Sequence, residues 1–282
     1  MKYDYNLNVF YKENALSYYL LGVFCTDGNV YIPPKRKSGR CQIDSKDENW
    51  LRQIADYICP AIPVYPDKRS NCFRISFYSN EIVNWLIDHG CKPAKSLTLK
   101  FPNIPNIYLS DFIRGCWDGD GTLGLYNIYR KDHKCYETSR SCKLYSGSKS
   151  FTESMIIKLK QLDINATIIV RTHPERKINN RIIAASNLNN YMICVQNKQN
   201  IINFCEKIYY TDNCLSLDRK FKIAKELLNN IYSLKYPPSN EIINHIRSDY
   251  NNLNLKELSI KYNISKTTIR RIVNKRGRYS SI

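Results

Sequence analysis

The sequence predicts an α+β protein: two pseudo-symmetric αββαββα repeats followed by a small all-helical unit. Three observations predict it. The stretch Leu20-Leu21-Gly22-Val23-Phe24-Cys25-Thr26-Asp27-Gly28 returns ninety-three residues later as Ile113-Arg114-Gly115-Cys116-Trp117-Asp118-Gly119-Asp120-Gly121, with Gly, a bulky apolar pair, Asp and Gly at the same offsets. The succession of helix-like and strand-like segments around the first copy is repeated around the second, the mark of two similar units packed about a pseudo-twofold axis. Beyond Pro237-Pro238 the strand-like segments stop and three short helical patterns follow. The expected boundaries are residues 1–100, 101–236 and 237–282.

In chain order, Met1 to Asn14 is polar and aromatic, an arm or leading strand. Ser17 to Thr26 is a mostly apolar helix stopped by Gly28, which suits a C-terminal cap. Asn29 to Pro33 and Arg40 to Asp44 are β-like and joined by the basic link Pro34 to Gly39. Asp44 or Ser45 can cap a helix from Lys46 to Ile58, with Trp50, Leu51, Ile54, Ala55 and Ile58 on one side. Strands near Ile62 to Tyr65 and Cys72 to Tyr78 precede a helix from Asn80 to Asp88 that ends at Gly90. The proline-bearing stretch Cys91 to Ile107 reads as a linker.

The order then begins again. Helix Ser110 to Asp118 leads into strands near Thr122 to Tyr129 and Tyr136 to Ser146, and a helix follows from Ser150 to Leu162. Strands near Ala166 to Thr172 and Tyr191 to Gln196, a helix from Asn200 to Ile208 and another from Asp218 to Tyr232 complete this half. The terminal unit reads as helices Glu241 to Tyr250, Leu255 to Tyr262 and Lys266 to Asn274. The last two have helix-turn-helix spacing, with Leu258, Ile264, Ile269 and Ile272 as core, Asn263 in the left-handed turn and Ser265 as cap. From Lys266 to Ile282 there is no acid, while Lys266, Arg270, Arg271, Lys275, Arg276 and Arg278 are basic, which favours a helix that lies on DNA over a solvated bundle.

Composition points the same way. Lys and Arg number 43 against 25 acids, a net charge of +18 that costs self-repulsion in a compact state and so calls for an anionic partner such as nucleic acid. The eleven cysteines include no Cys-x-x-Cys pair, which argues for reduced thiols inside a cell and against a zinc module or a disulfide framework. The longest apolar run, Ala15 to Cys25, is too short to span a bilayer, so no membrane role is expected.

The repeated motif carries the candidate chemistry. Gly22 with Thr26, and Gly115 with Gly119, are small residues four apart on one helical face, so two such helices can approach closely there. Their pairing would set Asp27 beside Asp120. Two carboxylates so placed repel each other and suit a hard divalent cation such as Mg²⁺, which keeps open positions for water and phosphate oxygens. Two such ions about 4 Å apart can clamp an in-line displacement at phosphorus.

The duplicated motif, the element order and the basic strands resemble the LAGLIDADG homing endonucleases in their single-chain, two-motif form, over Ala15 to Tyr210. The second motif is the closer match; in the first, Cys25 stands at the sixth place where an acid is usual. The resemblance implies a monomeric, site-specific endonuclease on double-stranded DNA, acting with its target inside the cell. It implies cleavage across the minor groove with short 3′ overhangs, with Mg²⁺ or Mn²⁺ as cofactor. Asp27 and Asp120 would be catalytic and hold the metals with the carbonyls of Thr26 and Gly119. A basic residue at the end of the fourth strand falls at Lys198 in the second repeat and is replaced by Ser79 in the first, so one centre would lack its lysine and nicking is open. DNA would lie on the sheets: Arg40, Gln42, Arg74, Arg140 and Lys143 are placed to read bases, with Lys266, Arg270 and Arg271 in the terminal unit. Lys35, Arg36, Lys37, Lys68, Arg69, Tyr126, Arg130, Lys131, Lys134, Arg171, Arg176, Lys177 and Arg181 would add contacts along the sheets. Relatives of this layout also include non-catalytic DNA-binding regulators and intron maturases that bind RNA. Both aspartates favour the endonuclease, and the helix-turn-helix favours DNA.

Overall fold

The computed structural model describes residues 3–33, 38–68, 70–130, 135–173, 176–178, 181–183, 186–233, 240–262, 264–276 and 279, with backbone alone for 127–130, 135–138, 173, 176–178, 181–183, 186–189 and 230–233. They divide into two compact units, Met1–Leu227 and Leu228–Ile282. Lys35, Arg36, Lys37, Arg69, Lys131, Lys134, Asn263, Arg278 and the Pro237-Pro238 boundary lie outside the described residues.

The first unit opens with α1 (Asn8–Tyr11) and not with a strand. Burial of Val9 and Phe10, the latter edge-on to Trp85 at 5.4 Å, makes this segment part of the core. Then come α2 (Ala15–Cys25), β1 (Gly28–Tyr31), β2 (Arg40–Ser45), α3 (Glu48–Ile58), β3 (Tyr65–Asp67), β4 (Cys72–Phe77) and α4 (Asn80–Asp88). Strand β3 starts at Tyr65, three residues later than expected and beyond Pro63, and takes Pro66 as an edge-strand residue. The five apolar residues of α3 are buried as their spacing predicts. Helix α4 ends as read: Gly90 adopts φ 85°, and Cys91 N donates back to Leu86 O at 2.8 Å in the pattern of a glycine C-cap.

The stretch to residue 107 holds only short 3₁₀ turns, yet it is no loose linker: Cys91, Lys95, Leu99 and Ile104 are buried. The second half repeats the plan with α5 (Leu109–Asp120), β5 (Gly121–Arg130), β6 (Cys135–Ser146), α6 (Lys149–Gln161), β7 (Ala166–His173), the added hairpin β8 (Arg176–Ile178) and β9 (Arg181–Ile183), β10 (Ser186–Val195), α7 (Lys198–Ile208) and α8 (Asp218–Ser233). The two main sheets run β1-β2-β4-β3 and β5-β6-β10-β7, the same antiparallel order. The internal repeat is therefore one of topology as well as of motif.

The second unit holds α9 (Asn240–Asp249), α10 (Leu255–Lys261) and α11 (Lys266–Val273). Ile243, Ile246, Leu258, Ile269, Ile272 and Tyr279 form its core, and Ile264 is partly buried against it. Ser265 caps α11 through Thr268 N as expected. Asn254 and Glu257 form a capping box on α10 that the sequence reading missed.

Candidate metal centre and nucleic-acid interface

Helices α2 and α5 pack backbone to backbone. A Cβ on Gly22 would stand 2.2 Å from Phe112 O, and one on Gly115 would stand 2.0 Å from Tyr19 O. One turn on, a Cβ on Gly119 would fall 2.1 Å from Thr26 Oγ1, so only glycine admits the contact. Gly28 and Gly121 serve a different purpose from the cap expected at 28. Neither is left-handed; each lets a strand leave hard against the last helical turn, where a Cβ would meet Phe24 Cα or Trp117 O at 2.5 Å. The helix-end geometry is thus set by packing, not by φ. Helix α5 also runs two residues further than expected, so Asp120 is its last residue while Asp27 lies just past the end of α2.

This geometry brings Asp27 and Asp120 together, with their carboxyl groups hydrogen-bonded to each other. Burial first and the Asp120 charge second push the Asp27 carboxyl up to about 7, against the pull of Lys220 and Lys95. Burial also raises Asp120. Both carboxyls are raised, so the metal-free pair binds a proton more readily than isolated carboxylates do. Asp27 and Asp120 would hold a divalent cation as carboxylates, and its charge would offset their repulsion.

The two lysines were not found by sequence reading. Lys220, at the start of α8, is buried and donates to the carbonyls of Trp117 at 2.6 Å, Asp118 at 2.7 Å and Gly119 at 3.1 Å. Burial lowers its pKa to about 8, while the charges of Asp118, Asp27 and Asp120 hold it up. Lys95 is buried and donates to Gly28 O. Lys220 closes the end of α5, where a cation complements the helix dipole, and Lys95 holds the first residue of β1 just beyond α2. Gly119 O, expected as a metal ligand, is shared with Lys220. Lys198 is exposed on the first turn of α7, and Ser79 is the buried N-cap of α4, accepting from Ile82 N at 3.3 Å. Among the described groups, the lysines whose charges act on both acids are Lys95 and Lys220.

Asp118, the extra acid of the second motif, does not join the pair. It is 1% exposed and accepts from Tyr209 Oη at 2.8 Å, Tyr19 Oη at 2.9 Å and Leu217 N at 2.8 Å. Trp50 Nε1 in turn donates to Tyr19 Oη at 2.8 Å. Burial raises the Asp118 carboxyl, partly offset by Lys220 and these donors. Its place is structural.

The sheets sort the expected DNA contacts. Register pairs Tyr31 with Arg40, Asn29 with Gln42 and Asp44 with Arg74, so Arg40, Gln42 and Arg74 share the outer face of the first sheet. Arg40 stacks on Tyr31 at 5.6 Å, whereas Gln42 is buried beneath the surface it was expected to read from. In the second sheet Lys143 pairs with Thr122 on the outer row, but Arg140 pairs with Leu125 on the row of Cys142 and Leu144, the core side. They are three positions apart, an odd offset, and strand alternation forbids both from facing the same way. Tyr126 and Arg171 are exposed. In the second unit Lys266, Arg270 and Arg271 are exposed, opposite buried Ile269 and Ile272.

Paired four-stranded sheets flanking two glycine-packed motif helices are a fold that this chain shares with a solved meganuclease. One such solved protein is the meganuclease I-SmaMI, crystallised on an uncleavable DNA: TM-score 0.51 and 12% identity over 88% of this chain and 99% of that one. I-DmoI is also similar, as mesophilic variants (TM-score 0.47, 16% identity, 74% and 95% of the two chains) and in complex with DNA and Mn (TM-score 0.43, 17% identity, 69% and 96%). No protein-family model and no curated protein sequence matches the chain. No helix among the described residues is long and apolar enough to cross a membrane.

Proposed function

We propose that the chain is a site-specific DNA endonuclease dependent on a divalent cation. The observation that carries this reading is the hydrogen-bonded pair Asp27 and Asp120, held at the ends of two helices that touch at Gly22, Gly115 and Gly119. A fold does not need two carboxylates forced together, and protonating one of them is a cost that a cation removes. The donor set fits Mg²⁺ or Mn²⁺: two carboxylates and the carbonyls of Thr26 and Gly119, all oxygen. Such an ion, when bound, neutralises phosphate charge and lowers the pKa of water. Asp27 and Asp120 hold it, while Lys95 and Lys220 fix the helix ends and supply positive charge toward the phosphate. Lys198 supports the second centre from the start of α7.

Double-stranded DNA lies along the outer faces of the two sheets, a reading supported by the DNA-bound state of I-SmaMI, and α11 gives the second unit its own basic edge. The chain acts as a monomer and leaves short 3′ overhangs. The test is incubation of the protein and of Asp120→Asn with DNA spanning the gene's own insertion point, with Mg²⁺. Wild type cuts, and the variant loses more than about 100-fold, since even outer-shell partners of a metal are worth up to that much. Equal cutting by both, or binding without cutting by wild type, removes the catalytic assignment.

A further inference from the structure

The ends of α2 and α5 that lie opposite the acid pair border a cavity of about 220 Å³. Ala15, Leu16 and Tyr19 line it from α2, Asp111 and Arg114 from α5, and residues 210, 211 and 213–215 from the segment that leads into α8. Asp111 and Arg114 pair at 2.7 Å with side chains only 3% and 2% exposed. Arg114 directs Nε to Leu215 O, Nη1 to Ile208 O and Nη2 to Asp111 Oδ1. Tyr210 Oη donates to the same Oδ1 at 2.9 Å. Oδ1 therefore has two donors, whereas Oδ2 has none among the described residues, on a buried side chain that lines the cavity.

A buried carboxylate oxygen requires a donor, and here one has to come through the cavity. One water takes about 30 Å³, so there is room for a larger donor. The space falls short of the roughly 300–1,000 Å³ of sites for drug-sized molecules. The lining narrows the chemistry further. Its only charged side chains are Asp111 and Arg114, which cancel. A cation entering would meet Arg114 on a chain of net charge +18, and an anion would meet the open oxygen of Asp111. An uncharged N–H donor avoids both repulsions. Tyr57 and Tyr210, each about half exposed, bring rings to the cavity and suit a flat molecule.

We propose that this cavity binds a small uncharged planar heterocycle of nucleobase size, which donates an N–H to Asp111 Oδ2. The site lies apart from the acid pair and from the sheets, and it stands whether or not the chain cuts DNA.

The experiment is titration of full-length, metal-free protein with guanosine, cytidine and N3-methylthymidine, followed by hydrogen–deuterium exchange. The first two carry N–H donors on the base, and the third carries none. Guanosine or cytidine at ten times its Kd should slow exchange of the amides between residues 208 and 217 by about 10-fold. N3-methylthymidine at the same concentration should leave them unchanged. Asp111→Asn should weaken binding by about 10-fold or more. Because that variant also removes the counter-ion of Arg114, Tyr57→Ala at the exposed rim serves as a second probe and should weaken binding by about 5-fold or more. Absence of binding by both donor-bearing nucleosides would overturn the proposal. So would equal binding of N3-methylthymidine, protection confined to other segments, or an affinity that Tyr57→Ala leaves unchanged.

Discussion

The two motif helices share a backbone and differ inside. In α2 the residues at the positions of Arg114 and Asp118 are Leu21 and Cys25, both buried among apolar neighbours. Cys25 is hydrogen-bonded to Cys91. In α5 the same positions bear charge. Arg114 donates to Leu215 O at 3.1 Å and Ile208 O at 3.2 Å, pairs with Asp111 at 2.7 Å and sits over the rings of Tyr19 and Tyr210. Asp118 receives three donors. All of these second-motif partners except Tyr19 and Asp111 belong to the segment from residue 208 to 217, which leads into α8 and carries on to Lys220. The difference teaches that what repeats is what the helix pair needs, glycines and terminal acids. What departs is whatever each helix must dock. Asp118 therefore marks the docking of a chain segment, and its presence is no sign of a stronger cutting centre.

The comparison can be broken most forcefully at Asp118. Asp118→Ala strands Tyr19 Oη, Tyr209 Oη and Leu217 N–H without an acceptor and should cost about 3 kcal/mol or more in denaturant unfolding. Cys25→Ala, at the matching position, should cost about 1 kcal/mol. Equal costs would show that the two positions serve alike. The glycines probe the shared part instead. Gly22→Ala and Gly115→Ala each drive a methyl into a backbone carbonyl and should cost about 2–3 kcal/mol, the same within error, by the same measurement. A large inequality would mean that the helix pair is not symmetric at its crossing.

The lysines give a smaller contrast. Lys220→Met removes the donor from three carbonyls and Lys95→Met from one, so thermal unfolding should find losses of about 2 and about 1 kcal/mol. The smallest effect is one of pH. Asp27 has its folded pKa raised to about 7. Its contribution to stability is thus complete below the ordinary carboxylate range and is lost as pH rises through about 7. In metal-free protein, Asp27→Asn should abolish that loss, so the variant should melt above wild type at pH 8 and not at pH 5. A constant difference across this range would show that Asp27 carries no such strain.

Much of this was legible in the chain. The glycine spacing predicted the helix contact, and the period of Trp50, Leu51, Ile54, Ala55 and Ile58 predicted α3 residue for residue in burial. Alternation along β6, taken one step further, separates Arg140 from Lys143 without any coordinates. Lys95 and Lys220 offered no such sign. One lies in a proline-bearing stretch and the other on a mixed helix, and nothing local distinguishes them from solvated lysines.

The sequence by itself determined the two halves, the acid at the end of each motif helix, the glycines between them and the cap of α11. These depend on residues within about four positions of one another, where helix and strand periods act directly. Only the tertiary structure decided that Asp118 is a buried staple and that Lys220 closes α5. Tyr209 meets Asp118 across 91 residues and Lys220 meets Trp117 across 103. A buried charge is stable only with its partners in place, and partners so far apart in the chain are chosen by packing.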